Sequence, residues 1–137
     1  LQNSRLFIQN LIDEFLSSQV RWWEGVLVSL NYVKLKKLHL EISKGVLGYL
    51  LQKVGQTDYL PEMSEIIRFL TADDFKGCTL GKCELFIASK RLWIIPQDEK
   101  NELMKKDEWA KFVEKFPQYK NYGLPYKVRR ALKQKIG

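Results

Sequence analysis

Lysine and arginine fall into three groups along this chain, and their type and spacing invite one chemistry above others. Lys34, Lys36 and Lys37, with Lys44, form the first group. Lys76, Lys82, Lys90 and Arg91 form the second. Lys120, Lys127, Arg129, Arg130, Lys133 and Lys135 form the third. Residues 34–53 carry a net +4, 76–97 a net +3 and 117–137 a net +6, whereas 54–75 carry −4. Cations that share a face displace counterions from a phosphate backbone, which gives sequence-independent affinity and a steep salt dependence. Tyr119, Tyr122 and Tyr126 lie among the third group and could stack on exposed bases. From these clusters the expected contacts with a polyanion are Lys34, Lys36, Lys37, Lys82, Lys90, Arg91, Lys127, Arg129, Arg130 and Lys133.

Bond-making chemistry finds less material. A single histidine, His39, stands between Leu38 and Leu40, so any Ser-His-Asp or Cys-His scheme would rest on it alone. Cys78 and Cys83 form one C-x4-C pair, which with one histidine cannot complete a four-ligand zinc site. They read as two reduced thiols flanking a turn, with a disulfide as the alternative. "KGCTLGK", Lys76 to Lys82, has two glycines but the wrong spacing for a phosphate loop, no trailing Ser or Thr, and a strand after it in place of a helix. Asp73-Asp74 could hold a cation, although a turn or cap is their commoner use. No catalytic residue and no metal ligand is expected, and no cofactor is expected to bind this chain itself.

The elements that must position the cations follow from periodicity. "NSRLFIQNLIDEFLSS" repeats Leu6, Phe7, Leu11, Phe15 and Leu16 at helical spacing after an Asn3 or Ser4 cap. "QVRWWEGVLVSLNYV" places Trp22, Val26, Ser29 or Leu30, and Val33 near one helical face, which predicts a second helix. "LKKLHLEISKGVLGYLLQKVG" predicts a third, with Gly55 as its C-cap. Pro61 would occupy the first turn of a fourth, "PEMSEIIRFL". The period then changes. "CELFIAS" and "RLWIIP" read as the strands of a hairpin turning at Ser89-Lys90 and ending at Pro96. A charged helix follows over "DEKNELMKKDEWAKFVEKF", with Leu103, Trp109, Phe112, Val113 and Phe116 inward. A Tyr-, Gly- and Pro-rich loop and a basic terminal helix or tail, "VRRALKQKIG", close the chain.

The fold expected is α+β, mostly α, with four to five helices and one antiparallel β-hairpin. Its segments would be a helical part over 1–75, the hairpin over 76–97, and a helix with basic tail over 98–137, packed as one domain. The 137 residues suit a single domain. Hydrophobic residues make up 45%, enough for a core and against wholesale disorder. The net charge of +7 favours a polyanionic partner, most often nucleic acid. No apolar run reaches the roughly 18 to 20 residues that span a bilayer, and no signal peptide is visible. Two thiols read as reduced go with an expected cytoplasmic setting, without membrane contact. The chain opens on Leu1, already in helical pattern, and reads as a piece of a longer polypeptide.

Three segments carry a resemblance. "VLGYLLQKVG" is followed by "LPEMSEIIRFL", and then by "LGKCELFIASKRLWII" with Gly81, Leu92, Trp93 and Ile95 at fixed offsets. From about Lys36 to Trp93 the chain resembles the substrate-binding region of bacterial tRNA(Ile)-lysidine synthetases, the MesJ-type cell-cycle proteins. The closing "NYGLPYKVRRAL" is similar to the segment that ends some shorter members. Phe86, Ile87 and Ala88 stand where members often carry Arg and Tyr, and the first 33 residues match only loosely. The family's S-G-G-x-D-S signature does not occur here. The resemblance therefore implies a tRNA-binding accessory region, lying C-terminal to a catalytic domain of the same polypeptide. That parent would use ATP and Mg to adenylylate an anticodon cytidine, which lysine then attacks with loss of AMP. The hairpin would pack Leu85, Ile87, Trp93 and Ile95 against helices and offer Lys90 and Arg91 to the tRNA backbone. The alternative from charge alone is a free-standing basic module that binds nucleic acid or a protein, for which a dimer burying Trp22-Trp23 would speak. A complete enzyme is the third possibility and lacks a coherent catalytic set.

Overall fold

The computed structural model describes residues 2–73, 77–97, 103–120 and 122–137. It has the α+β, mostly helical class expected, with six α-helices and a five-stranded antiparallel sheet. The chain divides into two compact units, Leu1–Gln97 and Asp98–Gly137.

The first unit begins with α1 (Gln2–Ser18) and then departs from expectation. The stretch expected to be a second helix is a hairpin, β1 (Val20–Trp23) and β2 (Leu27–Asn31). Glu24 and Gly25 both have positive φ, at 53° and 69°, and Val26 N–H donates to the Trp23 carbonyl at 3.1 Å. That left-handed pair reverses two strands of β-branched and aromatic residues. Leu27, Val28, Ser29 and Leu30 are all buried. A strand covered on both faces shows no alternation, so its apolar run also fits a helical template.

The basic stretch expected as one helix is two, α2 (Tyr32–Lys37) and α3 (Leu40–Gly55). Asn31 Oδ1 caps α2 by accepting from Lys34 N–H at 3.0 Å, and His39 Nδ1 caps α3 by accepting from Glu41 N–H at 3.2 Å. The left-handed cap of α3 is Gln56 at φ 53°, and not Gly55. A Cβ on Gly55 would lie 2.5 Å from the Gly81 carbonyl oxygen, so this glycine permits close approach and does not terminate the helix. α4 (Met63–Thr71) starts two residues after Pro61, with Glu62 at its N-cap. Pro61 is buried instead against Gly81.

β3 (Cys78–Leu80), a strand the pattern did not reveal, pairs with β4 (Cys83–Ala88), and β4 with β5 (Arg91–Pro96). The β4–β5 hairpin turns at Ser89-Lys90 and ends at Pro96, as the sequence predicts. It is not a lone appendage, because the strand order β1-β2-β5-β4-β3 makes β5 the centre of the sheet. Register decides its faces. Phe86 opposes Trp93 and Leu85 opposes Ile94, so Leu85, Leu92 and Ile94 join Val28, Leu30 and Cys83 in the core with Val46, Leu47, Leu50 and Leu51 of α3. Trp93 and Ile95 point to the opposite face, and Ile87 is 40% exposed, so of the four residues expected to pack against helices only Leu85 joins this core. In α1, Ile12 and Phe15 are buried while Leu6 and Phe7 stand in solvent.

The second unit holds α5 (Lys106–Lys115), a 3-10 turn at Pro117–Tyr119, and α6 (Tyr126–Ile136). The expected start of the charged helix, residues 98–102, lies outside the described residues, and Leu103, expected inward, is 81% exposed. Phe112 is buried and stacks on Trp109 at 4.8 Å between ring centroids, with Phe116 at 4.8 Å and Tyr119 at 5.8 Å. Tyr126 accepts from the Met104 N–H at 2.8 Å and Lys133 Nζ meets Glu108 Oε2 at 2.9 Å. Among the described residues no helix is long and apolar enough to cross a membrane.

Candidate nucleic-acid interface

Strand register sorts the cations of the first unit between the two ends of the sheet. Asn31 pairs with Arg91, and Val20 with Leu30. The end of α1, the start of α2 and the Ser89-Lys90 turn therefore share one end. Lys34, Lys36, Lys37, Lys90 and Arg91 all belong there. Lys82 belongs to the other end, beside the Cys83–Pro96 pair. Six strand residues separate the two, roughly 20 Å at about 3.3 Å per residue. That exceeds the screening length of about 8–10 Å at physiological salt, so Lys82 adds little to the field of the others. Lys76 lies outside the described residues.

Two of the five cations at the shared end are already engaged. Lys36 Nζ donates to the Leu70 carbonyl at 2.7 Å and the Ala72 carbonyl at 2.9 Å, where it closes the C-terminus of α4. Its Nζ also lies 5.9 Å from the Tyr32 ring centre. Arg91 is half-buried. Its Nε donates to Ser29 Oγ and its Nη2 to the Ser29 carbonyl, each at 3.1 Å. Ser29 is fully buried and its hydroxyl also accepts from the Trp23 indole at 3.1 Å. Trp23 in turn lies 5.5 Å from Trp93, and the Arg21 guanidinium sits 4.0 Å above its ring. Arg91 thus ties β5 to β2 on the sheet face away from the core.

Lys34, Lys37 and Lys90 are exposed. Lys34 and Lys37 rim an open groove of about 360 Å³ between α1 and α2, whose walls are Leu11, Phe15, Leu38 and Ile42, with Glu14 as the acid beside them. Lys90 stands at the turn with φ 64°, next to Ser89 at φ 54°. Two non-glycine residues in the left-handed region hold this turn in a primed hairpin geometry at a cost of roughly 1–2 kcal/mol each.

In the second unit the expected contacts all lie on α6. Lys133 is paired with Glu108, whose carboxyl the lysine's hydrogen bond holds below the usual carboxylate range. The Arg129 guanidinium lies 5.9 Å from both the Trp109 and Tyr126 ring centres, and that of Arg130 lies 5.9 Å from Tyr126. Lys127 is exposed. Tyr119 is buried against Phe112, so the expectation that it stacks on a base fails, whereas Tyr122 and Tyr126 are 43% and 37% exposed.

Other candidates resolve into structural roles. His39 caps a helix. Cys78 and Cys83 are both free thiols. Cys83 is fully buried, its Sγ lies 3.4 Å from the Leu51 carbonyl, and burial pushes its pKa up to about 12. Asp74 lies outside the described residues, and among those described no three His, Cys, Asp or Glu side chains converge to hold a metal. Trp22 and Trp23, read together as a dimer surface, point to opposite sheet faces, with Trp23 buried and Trp22 38% exposed.

A second groove, of about 520 Å³, was not legible in the sequence. It runs between α1 and α3, with Gln9, Asp13, Trp22, Tyr49, Gln52 and Leu60 on its walls. Gln9 and Asp13 lie one helical turn apart, and Tyr49 and Gln52 likewise, but Trp22 reaches them only because β1 is a strand.

The segments that carry the resemblance meet at one joint. A Cβ on Gly55 would strike the Gly81 backbone, and a Cβ on Gly81 would lie 2.6 Å from Pro61 Cγ. No family model, curated protein or solved structure matches the chain.

Proposed function

We propose that this chain is the tRNA-gripping region of a lysidine-synthetase-type ligase, contributing phosphate contacts and orientation while a catalytic domain elsewhere makes the bond. The observation that carries this reading is the joint of Gly55, Pro61 and Gly81. Three consecutive segments that resemble the family in sequence, 46–55, 60–70 and 80–95, depend on one another for close packing. The cluster of Lys34, Lys37 and Lys90 at one end of the sheet supports the same reading. Phosphate contacts of this kind fix register and orientation without reading bases. ATP and Mg belong to the catalytic domain in this scheme, and nothing among the described residues is assigned to them.

The test is binding to a minor tRNA(Ile), a non-cognate tRNA and a duplex DNA across a salt series. A preference for tRNA is expected, with log K falling steeply as log salt rises. Replacing Lys34, Lys37 and Lys90 together by Ala should flatten that slope by about 2 to 3, at about 0.7–0.9 per phosphate contact. Equal binding to all three nucleic acids would overturn the tRNA reading in favour of a general basic module.

A further inference from the structure

The groove between α1 and α3 has a lining unlike that of an apolar docking cleft. Two aromatic rings open into it, Trp22 at 38% and Tyr49 at 43% exposure. Between them lie two amides and a carboxylate. Gln9 Nε2 donates to Asp13 Oδ1 at 2.9 Å, which leaves the Gln9 carbonyl oxygen and the second Asp13 oxygen as acceptors, and Gln52 adds an amide from the α3 wall. Lys53 Nζ lies 5.6 Å from the Tyr49 ring centre, so a cation stands near that ring, one residue along α3 from Gln52. Gly45 explains why the groove exists. A Cβ there would run into Ile12, so the two helices approach closely at this point and leave open space beside it. Its volume of about 520 Å³ falls within the roughly 300–1,000 Å³ of small-ligand sites.

A nucleobase has a π-face and a polar edge, and this groove offers a partner for each. We propose that it takes one unstacked base of a single-stranded RNA segment. Trp22 and Tyr49 stack on the base, Asp13 with Gln9 and Gln52 meets its edge, and Lys53 faces the adjoining phosphate. The inference rests on the RNA-binding reading above and assigns it a second contact of a different kind. The cations at the sheet end supply affinity that ignores sequence, whereas aromatic stacking demands an extruded base. An apolar side chain of a protein partner would leave the amides and the carboxylate unmatched in the same space.

The test uses the four tryptophan indole N–H resonances of the 15N-labelled chain, with that of Trp22 assigned through Trp22→Phe. The titrants are a non-pairing RNA heptamer and an abasic phosphoribose heptamer of equal charge. The Trp22 resonance should move saturably with the first and stay in place with the second. Trp22→Ala and Tyr49→Ala should each weaken heptamer binding roughly fivefold or more with the salt slope unchanged. Both sites are exposed, so both variants should fold, and Trp22→Phe should retain most of the affinity. If the RNA heptamer binds and the Trp22 resonance does not move, the groove assignment is overturned and the RNA reading stands. If neither the heptamer nor tRNA binds at all, both are overturned.

Discussion

Replacing Arg91 by Ala removes two hydrogen bonds from a charged donor to Ser29, one to its hydroxyl and one to its carbonyl. A hydrogen bond from a charged group contributes about 1.5–3 kcal/mol. Arg91 is only half-buried, and water reaches its remaining N–H groups, so the lower figure applies and the pair is worth about 3 kcal/mol. The Ser29 hydroxyl keeps its Trp23 bond in the variant, which limits the loss to that sum. With a urea m-value of about 2 kcal/mol per molar, the midpoint should fall by about 1.5 M. Lys90→Ala, one residue away on the exposed turn, should change stability by no more than about 0.5 kcal/mol. The binding assay should rank the two oppositely. Lys90→Ala lowers the salt slope by about 0.7–0.9. Arg91→Lys keeps the charge but cannot reproduce the planar fork, so it should lose most of the stability and none of the slope. If Arg91→Ala left the urea midpoint unchanged while weakening RNA binding as Lys90→Ala does, the tie to Ser29 would be incidental and the reasoning wrong.

Gly81→Ala should destabilise the first unit by about 2–4 kcal/mol. It adds the left-handed penalty at φ 57° to overpacking against Pro61, whose ring cannot swing aside, and a urea titration of the variant measures it. A second outcome concerns Cys83, the thiol with its pKa pushed up to about 12 by burial. The unfolded chain releases that proton near pH 8.5 and the folded chain holds it, so stability falls as pH rises above the unfolded value. The decline is at most about 1.4 kcal/mol per pH unit until the folded pKa is reached. Urea midpoints between pH 8 and 10.5 should therefore fall faster for the wild type than for Cys83→Ala. Parallel declines would show that the thiol exerts no such linkage.

Much of the fold was legible because several segments obeyed one strong local rule. The β4–β5 hairpin has β-branched and aromatic strands on either side of a two-residue turn, and it lies where its sequence predicts. α1 and α3 follow from helical spacing, whereas the sequence of α6 reads as either a terminal helix or a tail. The first hairpin was hidden for a physical reason. Leu27, Val28, Ser29 and Leu30 are buried on both faces, so alternation is absent, and Trp22, Val26, Leu30 and Val33 happen to fit a helical face. The Glu24-Gly25 pair was the available signal, a turn dipeptide between apolar runs. β3 is only three residues long and carries no pattern of its own.

The candidate site was legible in charge but not in occupancy. A lysine that closes a helix and a lysine that waits for a phosphate look alike in sequence. Lys36 and Lys37 are adjacent, yet only Lys36 comes within reach of the last carbonyls of α4, because α2 ends beside a helix more than thirty residues later in the chain. Arg91 is decided in the same way by Ser29, sixty-two positions away. The net charge of +7 therefore overstates the cations that can meet a polyanion. Lys36 is exposed as well, but its ammonium already holds two carbonyls, whereas Lys34, Lys37 and Lys90 are exposed at the same end of the sheet, an end defined by the β2–β5 pairing. The groove with Trp22 and Tyr49 depends on the same hidden hairpin. Read as a helix, residues 19–33 put Trp22 in a core. As a strand they put Trp23 on one face and turn Trp22 toward α1 and α3, where its ring is open to solvent.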